Sequence, residues 1–178
     1  MSPPFTILFE DNHLLVVDKP AGLLVQGDAT GDPCLLDLAR LDLAARHGKP
    51  GGVFIAAAHR LDRPVSGVVV LARTSKAAGR LAAAFRTGRV DKEYVAVVHH
   101  GPADEAGEVK SWLRKDVRTN RVTSHGTEVP GARWAHTRYR VLVRAGDRCL
   151  ISVVPVTGRS HQLRVHLQGL GCPIFGDL

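Results

Sequence analysis

The chain has 178 residues, 44% hydrophobic and 23% charged, the composition of an ordinary soluble globular protein long enough to bury a core. Its three cysteines, Cys34, Cys149 and Cys172, are odd in number, far apart and free of any CxxC pair, which argues against a disulfide framework or zinc finger and fits a reducing compartment. The formal net charge is +7, yet residues 1–58 hold four Lys/Arg against seven Asp/Glu, so the whole positive excess arises after His59; that asymmetry points to a polyanion, RNA or DNA, more than to a membrane.

The opening MSPPFTILFEDNH lacks a basic segment followed by an apolar stretch, so no signal peptide is expected. No apolar run approaches the roughly 18 residues of a membrane span, and a cytoplasmic protein is expected. ILFEDNHLLVVDKPAGLLV predicts two short strands with a turn at Asp11-Asn12, then a Pro-Ala-Gly turn. Asp32 and Pro33 predict a helix start, as N-cap and first residue, with Gly48 as its stop. VFIAAAHRLD predicts a strand running into the loop that carries Asp62. GVVVLA predicts a strand of a sheet covered on both faces.

Thr74 or Ser75 caps a second helix, with an apolar stripe of Ala78, Leu81, Ala82 and Phe85 and a close near Gly88. VDKEYVAVVHH is a strand, GPADEAGEV a polar loop, and WLRKDVRTNRVTSHG a basic hairpin with Thr119-Asn120 near its tip. WAHTRYRVLV alternates as a strand with one wet face, and CLISVVPV is a further strand. TGRSHQLRVHLQGLG is a last helix opened by Thr157 or Ser160 and closed around Gly169 or Gly171. These elements imply an α+β fold: a single domain on a mixed, largely antiparallel sheet flanked by helices and loops, with no linker or repeat.

Three stretches could carry chemistry. In HRLDRPVSG, Asp62 stands between Arg60 and Arg63. If residues 59–62 are extended, Arg60 and Asp62 project to one side, and a cation about 4 Å from a carboxylate is worth roughly 4 kcal/mol at an effective dielectric of 20. Asp62 would then stay ionised, fit for a nucleophile or base but not a general acid; a counter-ion pinning a loop reads equally from this stretch. In GRSHQLRVHLQGLG, His161, Arg164 and Gln168 share a helix face that could meet a phosphate or carboxylate, or simply solvent. In KEYVAVV, Tyr94 and Ala96 share a face, and Tyr94 beside Lys92 suits either base stacking or a core. No HExxH occurs and His161 and His166 are five apart, so no metal is expected; without GxxxxGK[ST] or GxGxxG, no nucleotide cofactor is expected, and no GxSxG marks Ser66 as a hydrolase nucleophile.

Together these stretches, in this order, resemble the RluA-like, large-ribosomal-subunit type of RNA pseudouridine synthases over almost the whole chain. ILFEDNHLLVVDKPAGLLV is similar to the family's opening strands and KPAG turn, HRLDRPVSGVVVLART to its active-site motif, KEYVAVV to its tyrosine strand and TGRSHQLRVHLQGLGCPIFGD to its arginine motif. The resemblance implies that Asp62 is the catalytic aspartate, that Arg60 enters the RNA where the target base leaves, that Tyr94 contacts the flipped uracil and that Arg164 pairs with Asp62. It implies a uridine detached at N1, rotated and rejoined at C5 after flipping out of the helix, with no cofactor. Arg63, Lys92, His161 and Gln162 would join the substrate side. The hairpin cations Arg114, Lys115 and Arg118, with the series Arg73 to Lys92, would grip phosphates of rRNA or tRNA.

The chain departs from the family pattern at Val65, where a threonine is usual, and ends at Leu178, where relatives usually continue past the GD element. It also shows no basic N-terminal RNA-binding module, and a monomer is the family-like expectation. Two other functions fit the same residues: a non-catalytic RNA-binding protein or RNA chaperone on this scaffold, and a glycosidase, which would want Asp91 or Glu93 as a second carboxylate.

Overall fold

A computed structural model of the chain describes residues 3–48 and 52–177. The chain falls into two compact units, Met1–Val90 and Asp91–Leu178. The α+β reading holds, and every neighbouring strand pair is antiparallel; the strands divide between two sheets, one in each unit. Among the described residues no helix is long and apolar enough to cross a membrane.

The first unit contains β1 (Thr6–Glu10), β2 (Leu14–Lys19), α1 (Leu35–Arg46), β3 (Ala56–Ala57), β4 (Gly67–Ala72) and α2 (Ser75–Arg86), with sheet order β1-β2-β4-β3. The β1–β2 turn forms at the expected place because Asp11 Oδ1 accepts the amides of His13 and Leu14 at 2.7 and 2.6 Å. Leu15, Val17 and Lys19 are buried at alternate positions of β2, and Leu15 and Val17 lie opposite Leu71 and Val69 of β4. Contrary to expectation, β4 is not covered on both faces: Val68 is 54% exposed. Valine suits a pleated strand whether or not both faces are buried, so an apolar run cannot report the second face.

Helix α1 begins later than its sequence signals suggested. Its N-cap is Cys34, not Asp32, and no side chain caps it. Instead the Leu35 amide donates to the Leu24 carbonyl at 2.7 Å and the Leu36 amide to that of Val25 at 3.2 Å. Backbone from a distant turn thus satisfies donors that a cap would have served, and Asp32 pairs with Arg63 at 2.8 Å. The predicted strand before Asp62 shrinks to Ala56–Ala57, since the His59 ring nitrogen Nε2, rather than a further strand carbonyl, accepts the Val70 amide at 2.9 Å. In α2, Thr74 is the cap: its hydroxyl accepts the Ala77 amide at 3.1 Å. The buried stripe is rotated from the expected one. Ala77 is buried, Ala78, Leu81, Ala84 and Phe85 are half-buried, and Ala82 is exposed. Phe85 stacks on His59 with ring centroids 4.4 Å apart.

The second unit contains β5 (Tyr94–His99), β6 (Ala106–Lys115), β7 (Val122–His125), β8 (Arg133–Ala145), β9 (Arg148–Pro155) and α3 (Gln162–Gly169), with sheet order β5-β9-β8-β6-β7. Residues 106–109, expected as loop, are strand. Gly107 sits opposite Tyr139, where a Cβ would come within 2.6 Å of the tyrosine hydroxyl, so glycine lets the ring lie across the ladder. The β6–β7 hairpin closes with the Asp116 amide on the Arg121 carbonyl at 2.8 Å, and Asn120 takes a left-handed conformation at its tip. Strand β8 alternates as expected, burying Ala135, Thr137 and Tyr139. Val98, Cys149, Ile151, Val153, Leu167 and Cys172 form the core, which seats α3 against the sheet.

Losing the Thr74 cap should cost about 1 kcal/mol. Thr74→Ala is expected to lower the thermal midpoint by about 2–4 °C, read by circular dichroism, while Ser75→Ala leaves it unchanged.

Candidate active site

The loop carrying Asp62 is held by a buried lysine. Lys19 is the next inward position of β2 after Leu15 and Val17, and it is fully buried. Its ammonium donates to the carbonyls of Pro20 at 2.9 Å, Leu23 at 2.7 Å and Arg63 at 3.4 Å. Those oxygens belong to the Pro-Ala-Gly turn and to the residue after Asp62, so one cation binds the two segments together. Burial pushes the Lys19 ammonium below the usual lysine range, and the charge of Asp62 opposes that push. Two further bonds complete the clasp: the Gly22 amide donates to the Arg63 carbonyl at 2.8 Å, and Arg63 Nε donates to the Gly22 carbonyl at 3.1 Å. Gly22 adopts φ +87°, which permits this approach. Leu61 is buried, the Val65 amide donates to the Asp62 carbonyl at 3.0 Å, and Asp62 itself is exposed at the crest of this turn.

In the second unit, Tyr94 opens β5 half-buried, opposite Val153. The entry to α3 is built by a buried polar network. Gln162 is 3% exposed, and its amide is fully used: Oε1 accepts from Thr157 Oγ1 at 2.8 Å and the Arg159 amide at 3.0 Å, while Nε2 donates to the His136 carbonyl and Thr137 Oγ1, both at 2.9 Å. His166, 1% exposed, is bracketed by Ser111 Oγ at 3.0 Å and Thr137 Oγ1 at 2.8 Å. Burial, aided by the nearby His136, lowers its pKa to about 4, so the ring is neutral at pH 7. The N-cap of α3 is His161 in a left-handed conformation, φ 52°, and neither Thr157 nor Ser160 caps the helix. The His161 geometry brings its Nδ1 to 2.7 Å from Arg164 Nη1, and Arg164 Nε is 2.7 Å from Asp177 Oδ2.

The expected residues thus have different fates. Residues 59–62 are loop, and among the described residues no ion pair joins Arg60 to Asp62; the charge of Asp62 acts on the Lys19 ammonium. Arg60 is exposed. Arg63 bonds to Gly22 and Asp32, and Gln162 faces inward with its side-chain amide hydrogen-bonded. Arg73 is withdrawn from the phosphate-gripping series by Glu10 at 2.7 Å. Lys92 is half-buried and pushed below the usual lysine range by burial. Arg114 and Arg118 are exposed on the hairpin, and Lys115 is half-buried. Glu93 accepts the Ser152 hydroxyl, which occupies one of the two carboxylates a glycosidase reading would have used. Sequence reasoning missed Lys19, His166 and Asp177. The parity of Lys19 with Leu15 and Val17 was the available signal for the first.

Asp62 thus lies on a clasped loop of the first unit, Tyr94 at the start of a strand and Arg164 on a short helix of the second, and each unit carries one antiparallel sheet. The family model described as RNA pseudouridylate synthase matches residues 13–169, and the chain belongs to that family. It is 38% identical over 179 residues to the dual-specificity RNA pseudouridine synthase RluA of Haemophilus influenzae, covering 99% of this chain and 77% of that one. It is 33% identical over 172 residues to the ribosomal large subunit pseudouridine synthase C of Rickettsia bellii, covering 96% of this chain and 55% of the relative. Human RNA Pseudouridylate Synthase Domain Containing 4 superposes with a TM-score of 0.83 at 34% identity, over 97% of this chain and 67% of that one. The chain spans about half the length of the first curated relatives it matches.

Replacing Lys19 leaves buried carbonyls without donors, at about 1–3 kcal/mol. Lys19→Met is expected to lower the denaturant midpoint and to speed amide exchange across residues 59–66; unchanged exchange there would show that the clasp is not what holds the loop. His166 titrates near pH 4 when folded and near 6.5 when unfolded. Its contribution is therefore complete above pH 6.5 and is lost as pH falls from 6.5 towards 4, by about 3 kcal/mol in all. Denaturant titrations between pH 4 and 7 should show this slope, and His166→Gln should flatten it.

Proposed function

We propose that the chain isomerises specific uridines in structured RNA, rRNA or tRNA, to pseudouridine. Asp62, Tyr94 and Arg164 are the catalytic residues of this reading, and the chain acts as one catalytic domain. The observation that carries it is Asp62, exposed at the crest of a turn that a buried lysine and the Gly22–Arg63 bonds hold in place, within a chain of the RNA pseudouridylate synthase family. The reaction breaks the bond between N1 and C1′, turns the uracil and forms a bond between C5 and C1′; C5 releases its hydrogen as a proton and N1 takes one up, so the product is an isomer of the substrate. Asp62 serves it as an ionised carboxylate, attacking C1′ or removing a sugar proton. A stacked uridine must first leave its helix, at a cost of a few kcal/mol. Arg60, exposed beside Asp62 in sequence, takes the space the base vacates, and Tyr94 meets the flipped uracil. Arg114, Lys115 and Arg118 hold the phosphate backbone and supply affinity rather than sequence choice. On this reading the protein is a cytoplasmic monomer that needs no cofactor or metal.

Tritium release from RNA labelled at uracil C5 tests the reading, with ribosomal and transfer RNA transcripts compared. Wild type is expected to release tritium, and Asp62→Asn to abolish release while keeping RNA affinity within a few-fold. Release by Asp62→Asn would remove Asp62 from its role. Binding without release by wild type would leave a non-catalytic RNA-binding protein.

A further inference from the structure

The inner face of the β6–β7 hairpin and the turn before α3 enclose a concavity lined by Leu113, Lys115, Val122, Arg133, Gly158 and Arg159. Three cations are brought to it by different means. Arg133 lies opposite Leu113 in the β6–β8 ladder, and Lys115 is two residues beyond Leu113, so the two share one face as diagonal neighbours within reach of long side chains. Arg159 comes from the turn. Its amide is fixed by Gln162 Oε1 at 3.0 Å and its guanidinium by Nε on the Trp134 carbonyl at 2.9 Å. That leaves the two terminal nitrogens of its fork for another partner.

Among the described residues none of these three cations has an ion pair, whereas Arg138 and Arg144 of the same sheet are paired with Glu108 and Glu105. The acid nearest in sequence, Asp116, spends its Oδ1 on the amides of Arg118 and Thr119. A fourth cation approaches from the other side of the turn: a Cβ on Gly158 would stand 3.7 Å from Lys92 Nζ, which burial already pushes below the usual lysine range. Like charges gathered without a counter-ion repel one another, and an anion in the concavity relieves that repulsion.

We infer that this concavity is a binding site for an RNA phosphodiester, with Arg133 and Arg159 as its principal ligands and Lys115 beside them. The inference rests on the proposed RNA-modifying function and adds to it Arg133 and Arg159. Arginine forks match phosphate oxygens in paired hydrogen bonds. Because Gln162 also anchors the start of α3, a phosphate seated on Arg159 is fixed relative to the helix that carries Arg164.

The test is the salt dependence of RNA binding by the full chain, measured by fluorescence anisotropy with a labelled structured RNA. Arg133→Gln, Arg159→Gln and the pair are compared with Arg40→Gln, a surface arginine of α1 paired with Asp37. Each phosphate contact adds about 0.7–0.9 to the slope of log affinity against log salt. Each single variant is expected to lose about that much slope, the pair about twice as much, and Arg40→Gln none. Among the described residues the Arg133 side chain makes no hydrogen bond, so Arg133→Gln keeps the test valid even if Arg159→Gln unfolds. Unchanged slopes in variants of a wild type that binds RNA would overturn the site and leave the proposed function standing. A wild type that binds no RNA would overturn both. DNA of the same sequence and inorganic phosphate are the remaining arms: a loss confined to DNA, or equal competition by phosphate in wild type and pair, would assign the concavity to something other than RNA.

Discussion

A buried ammonium is the constraint around which the first unit is organised. Lys19 occupies a position that the strand's alternation reserves for an apolar side chain, and among the described residues its nitrogen bonds to carbonyl oxygens and to no carboxylate. A charge so placed is tolerable only while those oxygens converge on it. The Pro-Ala-Gly turn and the segment after Asp62 must therefore come together, and the mutual bonds of Gly22 and Arg63 follow from that meeting. The loop gains its shape from a desolvated cation rather than from regular secondary structure. The strand ahead of it can accordingly be two residues long without leaving Asp62 undefined.

The second unit solves a similar problem with neutral groups. The entry to α3 cannot rely on a conventional cap, because His161 is left-handed and offers no capping oxygen. Gln162 and His166 reach back into the sheet instead, meeting Thr137 from two directions. A network in which every member is satisfied is rigid, and half-satisfied it would be costly. That rigidity sets the orientation of Arg164, whose partners His161 and Asp177 lie on either side in sequence. The two units thus place their functional groups by one principle: buried polar atoms with no alternative partners fix short irregular segments that helix and strand propensities leave undetermined.

The same economy pairs several basic residues within the chain. Arg63 and Arg73 are absorbed by Asp32 and Glu10, both in the acidic first 58 residues, so part of the charge asymmetry is consumed internally. Among the described residues, cations without a carboxylate partner include Arg60, Arg80, Arg86 and Arg89 in the first unit and Lys115, Arg133 and Arg159 around the hairpin and the turn before α3 in the second. Charge counts along a chain locate the excess, but only pairing shows which charges remain.

Much of the fold was legible in the sequence. Alternation identified β8, Asp11 and Asn120 marked the β1–β2 and β6–β7 turns, and the Thr74-Ser75 pair marked the start of α2, since each is decided by residues close in the chain. The family was equally legible in the motifs around Asp62, Tyr94 and Arg164, all of which fall within the matched residues 13–169. What the sequence could not decide depends on partners distant in the chain. The Leu24 and Val25 carbonyls moved the start of α1, the His59 ring shortened β3, and Thr137 with the His136 carbonyl holds Gln162 buried. In each case a local preference worth about 1 kcal/mol competed with a buried hydrogen bond whose loss costs about 1–3 kcal/mol. Tertiary structure prevailed because an unsatisfied buried group costs more than a cap contributes.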